Sequence, residues 1–416
     1  MIFNRNKNGS TATLITFFYP LVGLFLSIRY HRQWWAKNIF WIWCAFMGAV
    51  YIYNPVGGSS ADKVRIAARF YATHNSETSF ATLLNSFYDY DEVLGRNNLD
   101  LYLPIINFVI SRFTGNPHWA FFFYALIFGF FYSRNIWYVI ENIRNKIPWS
   151  ICILLFAFAA TRSVWDIGGP RIWTAVQVFL YGILPYIING DKSKLAWCYL
   201  SIFFHFSLIP SAILLTAYFI LPRNISFFFV LFLVAQTISG LNLEYINSFL
   251  KGLGFSVFDK TIDSYANQRY LELRQDSEAH FSIYNNFQNA IFKYPIIIFN
   301  IITYFFVVKI GNIDKKIKDM FCFTLFYCAF AVIFEKIPSG SRFISLSNMI
   351  SLATFVMIWQ YSTIKGFNRF ISLLSIVMLV YILTRMRFFI GSFGVDIFFQ
   401  NFISIFFIEN NVPMYK

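Results

Sequence analysis

The chain has 416 residues, of which 57% are hydrophobic and only 13% are charged, whereas soluble domains carry about 25% charged residues. This composition, with a mean hydropathy of +0.54, excludes a soluble globular domain. The formal net charge of +14 does not by itself indicate nucleic acid, because basic residues of membrane proteins concentrate in cytoplasmic loops. We therefore expect no nucleic-acid partner.

Apolar runs recur along the chain, and several have the roughly 20 residues that a helix needs to cross a bilayer. In chain order, spans are predicted over residues 12–28, 40–53, 119–140, 148–160, 170–188, 195–221, 226–241, 294–308, 321–334, 343–359 and 370–384. The run 12–28 lacks a small-residue cleavage site and is interpreted as a retained helix, not a signal peptide. The long run 195–221 contains His205, Ser207 and Pro210, which predict two half-length or tilted helices that meet near His205.

Two polar stretches, residues 54–117 and 242–289, interrupt the apolar runs. The first contains the apolar segment 101–113, which is about half a membrane thick and predicts a re-entrant or interfacial helix. The second contains the densest acidic region of the chain. The sequence therefore predicts one all-α polytopic membrane domain over residues 1–416, with about 12 transmembrane helices and two long outer loops.

Lys and Arg in short loops mark the cytoplasmic side of a membrane protein. One alternation of the spans places these loop residues together: Arg29, Arg32, Lys37, Arg134, Arg144, Lys146, Lys192, Lys194, Arg223, Lys309, Lys315, Lys316, Lys318, Lys365 and Arg369. Both polar stretches and both chain termini then lie outside. The tail that starts at Arg385 either follows the membrane surface or inserts again.

The five cysteines all lie within apolar runs and show no paired loop spacing; they are Cys44, Cys152, Cys198, Cys322 and Cys328. Neither a disulfide framework nor a zinc site is indicated. We expect no metal and no cofactor.

The segment 161–212 carries the most informative polar residues. Arg162 and Asp166 precede the span 170–188, Arg171 begins it, and His205 lies in the returning span. Ionisable side chains next to hydrocarbon are costly, so each is a functional candidate. If the turn that carries Lys192 is cytoplasmic, all four candidates lie at the outer end of the bundle.

Further charged residues are predicted on the outer side: Asp62, Arg65, Arg69, Asp100, Lys336 and Arg342. Arginines at the outer ends of several helices suit a ligand that carries a diphosphate, because guanidinium binds phosphate oxygens as a fork. Arg171 and Arg342 each follow a glycine-containing turn and are the favoured ligands.

Each candidate also has a purely structural interpretation. Arginines near helix ends often extend to lipid headgroups. His205 could bond a carbonyl at the helix break, and Asp166 could simply neutralise Arg162. The charges from Asp62 to Arg69 fit one solvated helix face.

The arrangement resembles the EpsG-type family of Wzy-like polymerases of bacterial polysaccharides. The resemblance is carried by the many spans, the long early loop, Pro170-Arg171-Ile-Trp-Thr-Ala175, the short basic turn and Phe204-His205-x-Ser207. It is specific from Arg162 to Ala212, with Arg342 as weaker support. Ile172 and Leu208 depart from the family pattern, which often has Gln and Ala there, and Asp62 with Tyr71 meets its early Asp–Tyr pattern loosely.

The resemblance implies a membrane glycosyltransferase with a GT-C-like bundle in the bacterial inner membrane. Such an enzyme transfers a growing glycan from undecaprenyl diphosphate onto another lipid-linked repeat unit at the outer face, and so makes capsule, exopolysaccharide or O-antigen. The expected diphosphate ligands are Arg171, Arg342, Arg162, Arg65 and Arg69. The expected catalytic residues are His205, Asp166 and Asp62. Partners would be the lipid-linked oligosaccharide, membrane lipids and a chain-length regulator.

Three other functions fit parts of the pattern. A flippase for lipid-linked glycans would share the outer arginines, but its charges would line a path through the bundle. A membrane O-acyltransferase would use an intramembrane His and Arg, with an acyl donor that is usually cytoplasmic. A structural or export-partner protein would need neither Arg171 nor His205.

Overall fold

The computed structural model describes residues 7–53, 62–76, 79–85, 90–91, 96–97, 100–237, 283–309, 315–336, 340–361 and 365–407. Its α-helices are α1 (Lys7–Phe18), α2 (Pro20–Arg29), α3 (Ala36–Ala49), α4 (Asp62–Asn75), α5 (Phe80–Asn85), α6 (Tyr102–Ser111), α7 (Pro117–Glu141), α8 (Trp149–Thr161), α9 (Pro170–Asn189), α10 (Ala196–Phe204), α11 (Ile209–Ile220), α12 (Ile225–Thr237), α13 (Ile283–Lys309), α14 (Lys315–Ile333), α15 (Ser341–Trp359) and α16 (Lys365–Ser392). Short 3-10 turns cover Val164–Gly168, Phe206–Leu208, Phe334–Lys336, Val395–Phe398 and Ser404–Phe407. Two antiparallel strands, β1 (Tyr90–Asp91) and β2 (Arg96–Asn97), form a small hairpin.

Several helices are long and apolar enough to cross a membrane. Among the described residues, five segments meet both criteria: Trp149–Gly168, Pro170–Asn189, Asn286–Val307, Ser341–Trp359 and Gly366–Ser392. The prediction of a polytopic helical membrane protein is therefore confirmed. The total of about 12 spans and the two outer loops stay predictions, since residues 54–61 and 238–282 lie outside the described part of the chain.

The first apolar run is not a single span. It is divided into α1 and α2, with Pro20 as the first residue of α2, because proline has no N–H to donate and clashes with a preceding helical turn. A Cβ on Gly9 in α1 would lie 3.3 Å from Trp35, which precedes α3. The start of α1 therefore lies beside the basic loop between α2 and α3, and the prediction that placed it at the opposite end is wrong.

The predicted break at His205 is confirmed. The backbone of His205 is extended between α10 and the following 3-10 turn (φ −158°, ψ 119°), and Pro210 lies in the first turn of α11. The hydroxyls of Tyr199 and Thr216 are 3.0 Å apart, so α10 and α11 run side by side. His205 is thus at the tip of a helical hairpin.

Contacts between the predicted cytoplasmic loops bring them together at one end of the bundle. Lys37 Nζ lies 3.0 Å from Glu141, and Arg223 Nη1 lies 2.9 Å from Asp319. The Gln360 amide donates to the Asn142 carbonyl at 3.2 Å. We refer to this end, formed by the last turns of α7, α9, α11 and α15 and the first turns of α3 and α14, as the basic end.

Candidate functional site

The turn between α8 and α9 is the foundation of the site. Its five-residue 3-10 helix, Val164–Gly168, begins after Ser163, whose backbone N–H donates to Asp166 Oδ2 at 3.0 Å. Pro170 then starts α9, where the missing N–H of proline is no loss. This local hydrogen bond from Ser163 orients the Asp166 carboxylate without help from residues distant in the sequence.

Asp166 is the centre of a buried ion cluster. Arg385 in α16 donates from Nη2 to both carboxylate oxygens, at 2.8 and 2.6 Å, and Arg162 Nη1 lies 3.4 Å from Oδ1. Arg385 Nε also donates to the Ala160 carbonyl at 3.2 Å. A buried charge is tolerated only when it is paired and hydrogen-bonded, and here the partners of Arg385 come from the end of α8 and the turn after it. The contacts therefore hold α16 against this part of the chain.

Arg162 connects three helices at the same level. Its Nε and Nη2 atoms donate to the Ser345 hydroxyl in α15 at 3.1 and 2.8 Å. Its guanidinium lies 3.6 Å from the centre of the Trp173 ring in α9, a cation–π contact. Arg342, in the first turn of α15, is three residues before Ser345 and hence its neighbour on the helix surface.

A second cluster is built on Asp100, just before α6. Its Oδ2 lies 2.9 Å from Arg171 Nη1, and its Oδ1 accepts the backbone N–H of Phe206 at 3.0 Å. His205 Nε2 is 4.0 Å from the same Oδ2. Asp100 is 4% exposed, so the cluster is closed to bulk water on most sides.

A hydrogen bond to His205 determines which tautomer its neutral ring adopts. Its Nδ1 accepts the backbone N–H of Ser207 at 3.2 Å, so the neutral ring carries its proton on Nε2. This nitrogen faces Asp100. In this arrangement His205 is a donor towards the carboxylate, and its accepting nitrogen is already engaged.

The charges of α4 lie on a more exposed surface. Asp62 and Arg65 are exposed and form an ion pair with each other, and Arg69 is half-buried. Lys63, between them, has its ammonium 5.5 Å from the Tyr51 ring centre, and partial burial lowers the pKa of that ammonium. Tyr51 lies directly beside Gly168, so Lys63 overlies the α8–α9 turn.

The structure thus divides the predicted residues between two clusters, with α4 beside them. Arg162 and Asp166 belong to one cluster, and Arg171 and His205 to the other. The roles assigned to these residues, and to Asp62, Arg65, Arg69 and Arg342, stay predictions. The side chain of Lys336 lies outside the described residues.

Sequence reasoning missed Arg385 and gave Asp100 only a minor place. The last span was predicted to end at residue 384, whereas α16 continues to Ser392 and leaves Arg385 only 6% exposed. An arginine within a continuing apolar helix was the available signal. For Asp100, the signal was a carboxylate immediately before a short apolar helix.

No group of three or more His, Cys, Asp or Glu side chains in the described ranges could hold a metal ion. What the two clusters offer is fixed positive charge from arginine beside two carboxylates and an imidazole. Such an arrangement can bind an anionic group and can orient a hydroxyl.

Among the comparisons with known proteins, only the one with protein families gives a match. No curated protein matches the chain, and no solved structure does. The sequence model of the EpsG family matches residues 68–404, which include both clusters and the helices that carry them. The chain therefore belongs to the EpsG family, a family of Wzy-like polysaccharide polymerases.

Proposed function

We propose that the protein is a metal-independent membrane glycosyltransferase that joins oligosaccharide repeat units linked to undecaprenyl diphosphate into a polysaccharide. The reaction would take place at the end of the bundle opposite the basic end. Because basic loops favour the cytoplasm, this end would face outward from the inner membrane. A GT-C-like arrangement of the helices is part of the proposal.

The observation that carries the proposal is the position of the first turn of α9 between the two clusters. Arg171 binds Asp100, and Trp173 stacks on Arg162. Arg162, Arg171 and Arg385 outnumber Asp100 and Asp166 by one charge. Lys63 adds positive charge beside Gly168, and Arg342 lies one helical turn before Ser345, which Arg162 contacts. Fixed cations stabilise the charge that develops on a diphosphate leaving group without any metal.

The three arginines differ in how much binding capacity remains. Arg385 and Arg162 are committed to Asp166, the Ala160 carbonyl and Ser345, which suits a role in positioning the turn. Arg171 uses Nη1 for Asp100, and within the described part of the chain its other N–H groups are left for a ligand, since a guanidinium has five donors. Arg171 is therefore one diphosphate ligand in our proposal, and Arg342, next to Ser345 on the surface of α15, is the second.

In the proposed reaction, the acceptor hydroxyl oxygen bonds to the anomeric carbon while the bond from that carbon to the diphosphate oxygen breaks. The electron pair remains on the diphosphate, beside the arginines. The hydroxyl proton moves to the Asp100 carboxylate, and His205 Nε2–H orients the acceptor oxygen. General-base assistance of this kind contributes about 10²- to 10⁴-fold in rate.

A lateral groove supports a lipid-linked donor. It is shallow and open, and it is formed by the outer part of α16 with Tyr284 of α13 at its edge; Leu383, Met386 and Arg387 are among its lining residues. The Arg387 guanidinium lies 4.8 Å from the Tyr284 ring centre. An apolar groove that ends at an arginine fits a polyisoprenyl chain with a phosphate at its head. The same helix carries Arg385 to Asp166.

The alternative functions have less support from the described residues. A flippase needs a path through the bundle, but Gln177 and Asn135 are buried and bonded to each other between the Asp166 cluster and the basic end. An acyltransferase that uses His205 as its base needs an open nitrogen, and Nδ1 is occupied by Ser207.

The proposal is tested by incubating the purified protein in nanodiscs with lipid-linked repeat units and resolving the products by size. We expect a ladder from the parent protein and only unreacted substrate from Asp100→Asn, which keeps an acceptor for the Phe206 N–H. Asp319→Asn, which loses the partner of Arg223 at the basic end, is the matched control and should give the parental ladder. Absence of products from a folded parent that binds the substrate would refute the proposal.

A further inference from the structure

A second polar cavity lies at the basic end, away from both clusters. It has a volume of about 90 Å³, and its lining includes Lys37, Arg134, Lys194, Tyr138, Tyr181 and Glu141. On the same measure one water molecule needs only about 10–15 Å³, so a tetrahedral anion fits. The cavity is formed by α3, α7 and α9 and by the residue two positions before α10.

The charge of this cavity is positive. Three cations line it, and Glu141 is the carboxylate among the lining residues, bonded to Lys37 at 3.0 Å. Asp191 lies on the exposed turn nearby, where Ser193 donates to its carboxylate from the backbone N–H and the hydroxyl. Lys194 rests over the Tyr181 ring at 4.2 Å without a carboxylate within ion-pair distance among the described residues.

Arg134 is the most constrained of the three cations. Its Nη2 donates to the Asn38 side chain at 2.7 Å and its Nη1 to the Ser133 hydroxyl at 2.8 Å. The guanidinium lies 4.3 Å from the Phe130 ring centre and 4.7 Å from that of Trp41. Neutral partners hold it in place without cancelling its charge, which leaves the cation available to an anion in the cavity.

We propose that this cavity binds a phosphate ester, and that its source is the headgroup of an anionic phospholipid of the same membrane leaflet. The adjoining surface favours a lipid. Phe131, Tyr181 and Trp197 form a continuous aromatic cluster beside the cavity, with ring centres 5.3 to 5.8 Å apart. Leu200 and Phe203 add exposed apolar side chains along α10. An acyl chain can follow this surface while its phosphate lies among the cations.

The test compares the protein in nanodiscs of phosphatidylcholine with and without phosphatidylglycerol. We expect phosphatidylglycerol to raise the unfolding midpoint of the parent and to be retained in native mass spectra. Lys194→Gln should bind it about tenfold or more weakly, since a hydrogen bond to a charged group is lost. Arg134→Gln should do the same where it folds. Lys192→Gln, on the same turn but not in the cavity, should respond like the parent.

Two results would overturn the inference. Equal responses of the parent, Lys194→Gln and Lys192→Gln would mean that phosphatidylglycerol acts through the overall charge of this end. If soluble inorganic phosphate removed the difference between the two nanodiscs, the cavity would be a site for free phosphate and the lipid assignment would fail.

Discussion

Arg385 and Asp166, 219 positions apart in the chain, form a buried ion pair in which one guanidinium nitrogen donates to both carboxylate oxygens at 2.8 and 2.6 Å. The contact holds α16 against the α8–α9 turn. It also fixes the position of the carboxylate that pairs with Arg162. The turn that presents Arg171 therefore depends on a residue from the far end of the sequence.

Removing one partner of this pair should destabilise the protein strongly. We expect Asp166→Asn or Arg385→Gln to cost about 3–5 kcal/mol, because a buried charge is left without its partner. The double variant should cost less than the sum of the two. Thermal unfolding in detergent measures both effects. Lys37→Gln, which breaks a partly exposed pair with Glu141, should cost only about 0–1 kcal/mol; equal losses at both pairs would contradict the assignment.

Position 168 requires glycine because the Tyr51 hydroxyl lies against its Cα. A Cβ there would lie 2.5 Å from Tyr51 Oη, so Gly168→Ala should displace the turn and cost about 1–3 kcal/mol. Adding Tyr51→Phe removes the oxygen and should restore part of the stability and of the polymer yield. Gly340→Ala is the contrast: its Cβ would meet the Phe334 carbonyl, and no side-chain change can relieve a backbone clash. Unfolding midpoints and product ladders of the three variants and the parent test the difference.

Much of the fold and part of the site could be predicted from the sequence. Local signals are sufficient for a helix start at Pro170, for a break before Pro210 and for a membrane protein. The division of the first apolar run depends on Pro20, which a pattern of hydropathy alone does not register. The pairing of Arg385 with Asp166 and of Arg171 with Asp100 depends on which helix ends meet in space. No spacing in the chain encodes those meetings.

Arg171 and Arg342 should tolerate lysine poorly. Lysine keeps the charge, and at position 171 it can still pair with Asp100, but a point charge cannot reproduce the guanidinium fork. The loss of one charged hydrogen bond, about 1.5–3 kcal/mol, corresponds to roughly 10- to 100-fold less polymer per unit time. Arg144→Lys, an exposed arginine at the basic end, is the control. Parental polymer from both Arg171→Lys and Arg342→Lys would indicate that these arginines only contact headgroups.

The position of α1 predicts on which side of the membrane its first residues lie. Cysteines introduced at Ser10 and Lys192 should react with an impermeant maleimide from the same side of the membrane, and a cysteine at Ser79 from the other, because Gly9 packs on Trp35 at the basic end. Cys152, the least buried native thiol, is first replaced by serine. Labelling of positions 10 and 79 from the same side would contradict this placement of α1.

Two substitutions test the roles of the two ring nitrogens of His205 separately. Asparagine places an acceptor where Nδ1 lies, and is itself a good N-cap, so His205→Asn should keep the bond from the Ser207 N–H. It has nothing at the Nε2 position. Glutamine does the reverse: its amide N–H can reach towards Asp100, but the cap is lost, at a cost of about 0.5–2 kcal/mol.

If His205 orients the acceptor through Nε2–H, His205→Asn should fold like the parent and make little polymer. His205→Gln should be less stable and yet polymerise measurably better than His205→Asn. Unfolding midpoints measured beside product ladders separate the two losses, which a single alanine variant would combine. The opposite ranking, with normal polymer from a stable His205→Asn, would leave the imidazole a structural cap at the tip of the α10–α11 hairpin. The acceptor would then have to be oriented by Asp100 alone. In that case Asp100→Asn should abolish the ladder and substitutions of His205 should not.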